Sequence, residues 1–380
     1  MTSITVLGGG PAGLYCATLL KTARDDLHVR VLEQNAADAT FGFGVVFSDQ
    51  ALDFLREDDA RTYDLITPHM ESWRDMTLVH RGERIVIDGV GFSAIGRLKL
   101  LNLLQRRAAE TGVEIAYSHP VGSLDELEGD LIVGADGLNS LVRRSHEGDF
   151  LTSLSYFDNK FVWFGATKPF STLTQTFIET EWGPFNAHHY RYTPEMSTFI
   201  VECDRKTWLA ANFDRMDAEA TRRRCADIFA DNLRGGDLVS NKSNWRNFPK
   251  VWNDRWSHRN RVLLGDALHT AHFSIGSGTR LAMEDAIALS AALLSEEDLE
   301  EALATYEANR KPIVKKIVDA ANHSATWYET FADHMQNDPL DFGFDYITRS
   351  GRVDRERLRR IAPEFAARYD AYRPETGHQA

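Results

Sequence analysis

The 380-residue sequence reads as an α/β fold: a parallel sheet interrupted by a second, largely antiparallel sheet and followed by C-terminal helices. Three observations predict this. A strand-like run, a glycine-rich turn, an apolar-striped helix and a second strand fill residues 3–33, the size of a βαβ unit. Residues 151–255 alternate aromatic or β-branched residues with polar ones, the period of a sheet with one face on a core. From residue 279 onward, apolar residues recur at helical spacing.

Taken in order, residues 3–8 (SITVLG) predict a buried strand, 11–24 a helix with Leu14, Ala17 and Thr18 on one stripe, and 28–33 (HVRVLE) the second strand. A leucine-striped helix is expected at 97–110, stopped by Gly112, with strands at 113–117 and 130–134. The run 261–265 (RVLLG) returns to the buried parallel-strand pattern. Helices are expected at 279–294, at 297–323 with Pro312 kinking or dividing it, and at 354–369.

Composition narrows the function classes. The net charge of −13 argues against a nucleic-acid binder, which needs a basic footprint. No apolar run reaches the ~18 residues of a membrane span, and the N-terminus lacks the basic region of a signal peptide. Cys16, Cys203 and Cys225 form no CxxC pair, so a disulfide framework is not expected and a reducing cytoplasm is the default setting. No metal set emerges: HExxH and HxxEH are absent and the histidines are scattered. Neither a P-loop nor a GxSxG nucleophile elbow is present.

The turn between the first strand and helix is Gly8-x-Gly10-Pro11-Ala12-Gly13, and Glu33 ends the second strand 20 residues after Gly13. Gly8 permits the tight turn, Gly10 lets a pyrophosphate approach the backbone, and Gly13 allows close helix–strand packing. The helix N-terminus supplies N–H groups and partial positive charge, and Glu33 can accept from ribose hydroxyls. This is a dinucleotide site, compatible with NAD or FAD.

Two later segments separate these. Gly134-Ala-Asp136-Gly137-x-x-Ser140-x-x-Arg143 and Leu263-Leu-Gly265-Asp266-Ala267-x-His269 resemble the DG and GD segments of the flavoprotein aromatic hydroxylases typified by p-hydroxybenzoate hydroxylase. That resemblance implies FAD as cofactor, with Asp266 on the ribityl chain and the helix starting near Gly276, Gly278 and Thr279 directed at the flavin. It also implies Arg97 as the arginine of the second FAD helix, whereas Asp136 more often holds its own turn. The continuation His272-Phe273-Ser274-Ile-Gly276-Ser-Gly278-Thr279-Arg280 departs from typical members, which have prolines at 272 and 273 and asparagine at 280. It is similar instead, with Phe41–Asp49 (FGFGVVFSD) and Met196–Cys203 (MSTFIVEC), to the salicylyl-CoA 5-hydroxylase and anthraniloyl-CoA monooxygenase subgroup.

The resemblance implies an FAD-binding fold in three parts (1–71, 92–150, 256–295), a substrate domain in two (72–91, 151–255) and a helical region at 296–380. It implies NAD(P)H as reductant, O2 as co-substrate, and oxygen transfer from a flavin C4a-hydroperoxide to C5 of an aryl-CoA ring. With 380 residues, a lone hydroxylase is expected rather than a fusion with a reductase half. The alternatives are a hydroxylase of tryptophan or another indole, and a non-catalytic flavin-binding redox protein. His272 and His188 are the candidate catalytic residues, His272 as a hydrogen-bonding or proton-transferring group beside the substrate's ring substituent. Phe47, Ser48 and Phe273 are candidate substrate contacts. Because His188 and His189 alternate along a strand, at most one of them should line a pocket. The basic stretches Arg222–Arg224 and Lys242–Arg246 are candidates to receive CoA phosphates. Oligomeric state is left open by the sequence.

Overall fold

A six-stranded sheet in the order 257–258, 261–263, 131–134, 3–7, 28–32, 114–116 forms the base of the molecule, parallel except for the hairpin at its first edge. The structure is a computed structural model and describes residues 1–40, 42–48 and 52–374. The first helix (Pro11–Ala23) follows the first strand (Ser3–Leu7), and the leucine-rich helix is Arg97–Glu110. Leu100, Leu103 and Leu104 bury in the same apolar core as Leu14, Tyr15 and Leu20.

The second sheet runs in the order 238–239, 152–166, 197–203, 183–191, 173–180, 76–80, 83–87, and the strand Arg246–Asn253 also pairs with Thr152–Ala166. Its inserted strand Met76–His80 lies parallel to Leu173–Thr180, whereas the strands from 152 to 203 are antiparallel. Both faces are covered, so the expectation of one core-facing side undercounts its burial. Phe164, Phe185, Phe199 and Val201 pack with Phe213, Cys225 and Phe229. Those last three come from the helical stretch 205–233, which the alternation pattern of 151–255 did not separate from the sheet. On the opposite face Phe177, Tyr190 and Leu78 meet Trp327, Phe331, Phe342 and Tyr346 of the C-terminal helices. In a small third sheet, between the other two, Phe92–Gly96 is the central strand and pairs with both Gly44–Ser48 and Glu71–Trp73.

The structure leaves the helix around Pro312 undivided and splits another. Leu299–Glu329 is one helix through Pro312. The missing N–H costs a backbone bond, but burial of Leu303, Tyr306, Val314, Val318 and Ala321 along one side outweighs it. Conversely, the expected helix 354–369 is two, Arg355–Ile361 and Pro363–Tyr372. Ala362 precedes a proline and takes φ −138°, ψ 65°, because the proline ring disfavours helical backbone in the residue before it. No helix among the described residues is long and apolar enough to cross a membrane. The three cysteines are free and buried.

Candidate functional site

At the C-terminal end of the first strand the three glycines do different work. Gly8 has φ +108°, and a Cβ there would lie 2.3 Å from the Ala135 carbonyl oxygen. A Cβ on Gly13 would lie 2.1 Å from the Gly8 oxygen, so Gly13 sets how closely helix and strand pack. Gly10 is extended (φ −76°, ψ 177°), and a Cβ there would meet no protein atom within 4 Å. It borders a cleft lined by Gly9, Pro11, Glu33, Asn35, Arg97 and Gln105. Glu33 is fixed by its own neighbours: Oε2 accepts from the Gly9 N–H (2.8 Å) and Oε1 from the Asn35 backbone and side-chain N–H groups (2.7 Å each).

The second wall comes from distant sequence. Gly265 (φ +61°) packs between Ala12 and Ala282, where a Cβ would sit 3.2 and 3.3 Å from their methyl groups. Asp266 beside it keeps exposed surface although protein encloses it. The enclosure pushes its carboxyl up, against the pull of Arg97 and His269. Asp136 closes its own turn, with Oδ2 accepting from the Leu141 N–H (2.6 Å), and burial raises its carboxyl too. Buried Arg143 joins the two segments, donating from Nη1 to the Ala267 oxygen (3.0 Å) and from Nη2 to the Leu138 oxygen.

Behind the Gly265 turn lies a charge network that sequence reasoning missed. The fully buried Asp285 accepts from the Gly265 N–H (3.2 Å) and Arg310 Nε (2.9 Å), and lies 2.8 Å from His269 Nε2. Burial alone would raise the Asp285 carboxyl; His269 and Arg310 together bring it below the ordinary value. Arg280 pairs with Glu284 (2.6 Å), which also holds Arg310 (2.8 Å).

Gly276 (φ +62°) crosses the strand Gly44–Ser48, its Cβ position 3.1 Å from Val46. The helix Gly278–Ser295 then begins with no side chain capping it, leaving the first N–H groups, including that of Thr279, without a side-chain acceptor. The residues present fit FAD. Gly10 leaves open the space a diphosphate needs, Glu33 faces the cleft, and Asp266 keeps an accessible carboxyl on the second wall. Glu33 and Gly10 would hold the adenosine and pyrophosphate end, Asp266 and Arg97 the ribityl side.

Between this cleft and the second sheet lies an aromatic cluster. His272 stacks on Phe273 (4.2 Å between centroids) and meets Phe248 (4.7 Å) and Phe157 (5.5 Å) edge-on. Phe273 lies 5.0 Å from Phe161 and 6.5 Å from His188. The two adjacent histidines do part company: His189 stacks on Phe199 and bonds Thr176 Oγ1 inside the far core, while His188 faces Phe273 and Tyr190. Both His188 and His272 are pushed down to about 3, by burial first and by Arg349 next. They are therefore neutral at pH 7, which favours the hydrogen-bonding role expected of His272 over the proton-transferring one. Its Nδ1 accepts from the Ser274 N–H (3.3 Å), leaving the proton on Nε2.

Phe47 is not part of this cluster. Its side chain is buried in the core of the parallel-sheet layer, and its neighbour Val46 faces the C-terminal helices instead. Ser48 ends that strand half-buried opposite Phe92; Phe41 and Asp49 lie outside the described residues. Gln175, Trp163 and Glu202 were missed. Strand register places all three on the His188 face, and Gln175 Oε1, Trp163 Nε1, Glu202 Oε2 and His188 Nε2 are buried without a hydrogen-bond partner. Arg349 was also missed. It donates to the Ser274 oxygen (2.8 Å) and stacks over Tyr346 (3.8 Å), tying the C-terminal helices to the His272 loop.

A dinucleotide cleft with an FAD-type second wall, adjoining an aromatic cluster on a sheet, defines a flavin-dependent aromatic hydroxylase. The chain belongs to the FAD-binding family of aromatic monooxygenases, and the family model described as "FAD binding domain" matches residues 107–321. It is 40% identical over 359 residues to salicyloyl-CoA 5-hydroxylase of Streptomyces sp, covering 91% of this chain and 69% of that one. It is 36% identical over 352 residues to 3-hydroxy-4-methyl-anthranilyl-[aryl-carrier protein] 5-monooxygenase of Streptosporangium sibiricum, covering 92% and 95%. The solved structure of p-nitrophenol 4-monooxygenase from Pseudomonas putida superposes with a TM-score of 0.75 at 18% identity, over 96% and 98% of the two chains, a likeness of fold alone.

Proposed function

We propose that this monooxygenase hydroxylates the ring of an aryl-CoA thioester such as salicylyl-CoA at C5, in the cytoplasm, with NADH or NADPH as reductant. The observation that carries the reading is the 40% identity, over 91% of the chain, to a protein named salicyloyl-CoA 5-hydroxylase. Bound FAD, once reduced, supplies O2 activation and transfer of one oxygen atom to the ring. The chain's own residues bind and orient. The ring sits among Phe273, Phe161 and His188, and the unpaired atoms of Gln175, Trp163 and Glu202 recognise its polar substituents, since unsatisfied buried polar groups are rare without a purpose. The inserted strands and residues 151–255 form the substrate domain, resting on the three-part FAD-binding domain.

His272, neutral and with its proton on Nε2, donates a hydrogen bond to the ring substituent. His272→Ala is expected to stay yellow and to oxidise NAD(P)H while making less hydroxylated product and more peroxide. Losing one neutral hydrogen bond, about 0.5–1.5 kcal/mol, corresponds to a drop of roughly 2- to 10-fold in product formed. Product per NAD(P)H, read by chromatography, checks this; wild-type coupling would reduce His272 to a packing residue.

Of the two basic stretches, the first is spent inside the protein. Arg222 pairs with Glu219 and Asp237, Arg223 with Glu219, and Arg224 donates to the Ala211 oxygen and lies over Trp182. Arg246 and Lys250 instead lie over Phe161 and Phe157, at the edge of the aromatic cluster. They are the counter-charges for the CoA phosphates. Arg246→Ala should raise KM for salicylyl-CoA about 2- to 5-fold, the range of an exposed ion contact, with kcat unchanged. Wild-type KM should rise with ionic strength. The deciding experiment compares NAD(P)H oxidation with salicylyl-CoA, anthraniloyl-CoA, the carrier-protein thioester, free salicylate and tryptophan. Free salicylate or tryptophan turning over as well as the CoA thioesters removes the proposal.

A further inference from the structure

Away from the cleft, three side chains that the sequence scatters over 113 positions converge on one point. The segment after the Asp136 turn ends in a short helix, Glu147–Phe150, preceded by His146. The hairpin Ser257–His258 with Arg261–Leu263 sits at the edge of the parallel sheet and leads straight into Gly265 and Asp266. Because Arg261–Leu263 pairs with Leu131–Gly134, the two segments are brought side by side. Backbone bonds from Arg255 N–H to the Phe150 oxygen (3.0 Å) and from Asp254 N–H to the Leu151 oxygen (3.4 Å) fix the approach.

Asp149 Oδ2 then lies 3.2 Å from His146 Nδ1 and 3.6 Å from His258 Nε2, and all three donor atoms fall within 4.8 Å of one another. The imidazoles are 5.0 Å apart and tilted by 34°, and both are mostly buried. A tetrahedral zinc with bonds of about 2.0–2.2 Å places its donors roughly 3.3–3.5 Å apart, so the two separations from Asp149 are close to that spacing and the third, no more than 4.8 Å, has to shorten on binding.

We propose that His146, Asp149 and His258 form a binding site for one borderline divalent cation of the Zn2+ class. Two imidazoles and one carboxylate select such an ion over Mg2+ or Ca2+, which take oxygen donors. Arg259 and Arg261 lie within electrostatic reach of His258, a positive charge that the ligands have to outweigh. Three protein ligands leave a fourth position for water. The bound ion staples the segment that follows Asp136 to the hairpin that precedes Asp266, so it braces both walls of the cofactor cleft from behind.

The test is calorimetric titration of the FAD-loaded protein with Zn2+, and with Mg2+ in parallel, on wild type and on His258→Ala, Asp149→Asn and the distant control His334→Ala. The expected result is one Zn2+ per chain at micromolar affinity or tighter and no Mg2+ binding. Affinity should fall at least about 10-fold in His258→Ala and Asp149→Asn and be retained in His334→Ala. In the wild type, Zn2+ at 100 times Kd should raise Tm by about 2–5 °C, since a ligand that binds only the folded state stabilises it. No stoichiometric binding, or binding kept by both ligand variants, overturns the proposal. Asp149→Asn preserves the size and shape of its side chain, so loss in that variant is not a folding defect.

Discussion

Gly10→Val should yield a folded, colourless protein. A Cβ at 10 meets no atom within 4 Å beyond its chain neighbours, and φ −76°, ψ 177° is extended backbone that valine accepts, so the fold should tolerate it. The isopropyl group instead occupies the space above the first turn of the helix Pro11–Ala23, where a diphosphate has to reach the N–H groups. FAD affinity should fall at least about 100-fold, the loss of two or more charge-assisted hydrogen bonds of about 1.5–3 kcal/mol each. Flavin-to-protein absorbance after purification, together with fluorescence titration of added FAD, measures it, with circular dichroism as the control for folding. Gly8→Ala is the contrast. It forces a methyl against the Ala135 oxygen at a backbone angle of φ +108°, so it should lose soluble protein before it loses cofactor. A Gly10→Val protein that purifies with a full complement of FAD would mean that the diphosphate lies elsewhere.

The difference between these glycines shows which parts of the protein the sequence exposes. Gly8, Gly10 and Gly13 act within one turn, so spacing alone assigns their roles, and the same holds for the caps and turns around Asp136 and Gly265. What the sequence hides is register. Nothing in the strand Leu173–Thr180 says that Gln175 faces His188, or in Ser197–Cys203 that Glu202 faces Asn186; pairing across strands decides it. Phe47 shows the same ambiguity in one strand: either Val46 or Phe47 had to face the parallel-sheet core, and only the third sheet's docking chooses Phe47. The Asp285–Arg310–His269 network is invisible for a further reason. Charged residues in helices ordinarily read as solvent-facing, and only the packing of the helices Gly278–Ser295 and Leu299–Glu329 buries these. Pro312 does not divide its helix, because a long buried face outweighs the local cost.

Glu202→Gln should stabilise the protein at neutral and alkaline pH. The carboxyl is 2% exposed, Oε1 accepts from Asn159 Nδ2 (2.9 Å), and Oε2 has no partner. Burial pushes it up to about 8, with Glu329 adding to the rise and the Asn159 bond opposing it. In the folded protein the group is thus neutral at pH 7, while in the unfolded chain it ionises near the ordinary glutamate value of about 4.3. Over that interval the unfolded chain holds fewer protons than the folded one, so stability contributed by this group is complete below about pH 4.3 and is lost as pH rises to about 8. His188 and His272 act with the opposite sign. Held down to about 3, they make the folded protein lose stability as pH falls below about 6.5. Wild-type Tm should therefore pass through a maximum between the two limbs. Glutamine keeps the acceptor for Asn159 and cannot ionise, so Glu202→Gln should abolish the alkaline limb and leave the acid limb in place. At pH 8 the variant should be more stable by roughly 4–5 kcal/mol, and near pH 5 by only about 1 kcal/mol. Thermal unfolding of the FAD-loaded proteins across pH 5–9 reads this directly. Parallel Tm profiles for the two proteins would show that Glu202 is ionised in the fold, and its proposed place as a hydrogen-bond donor to the substrate would go with it.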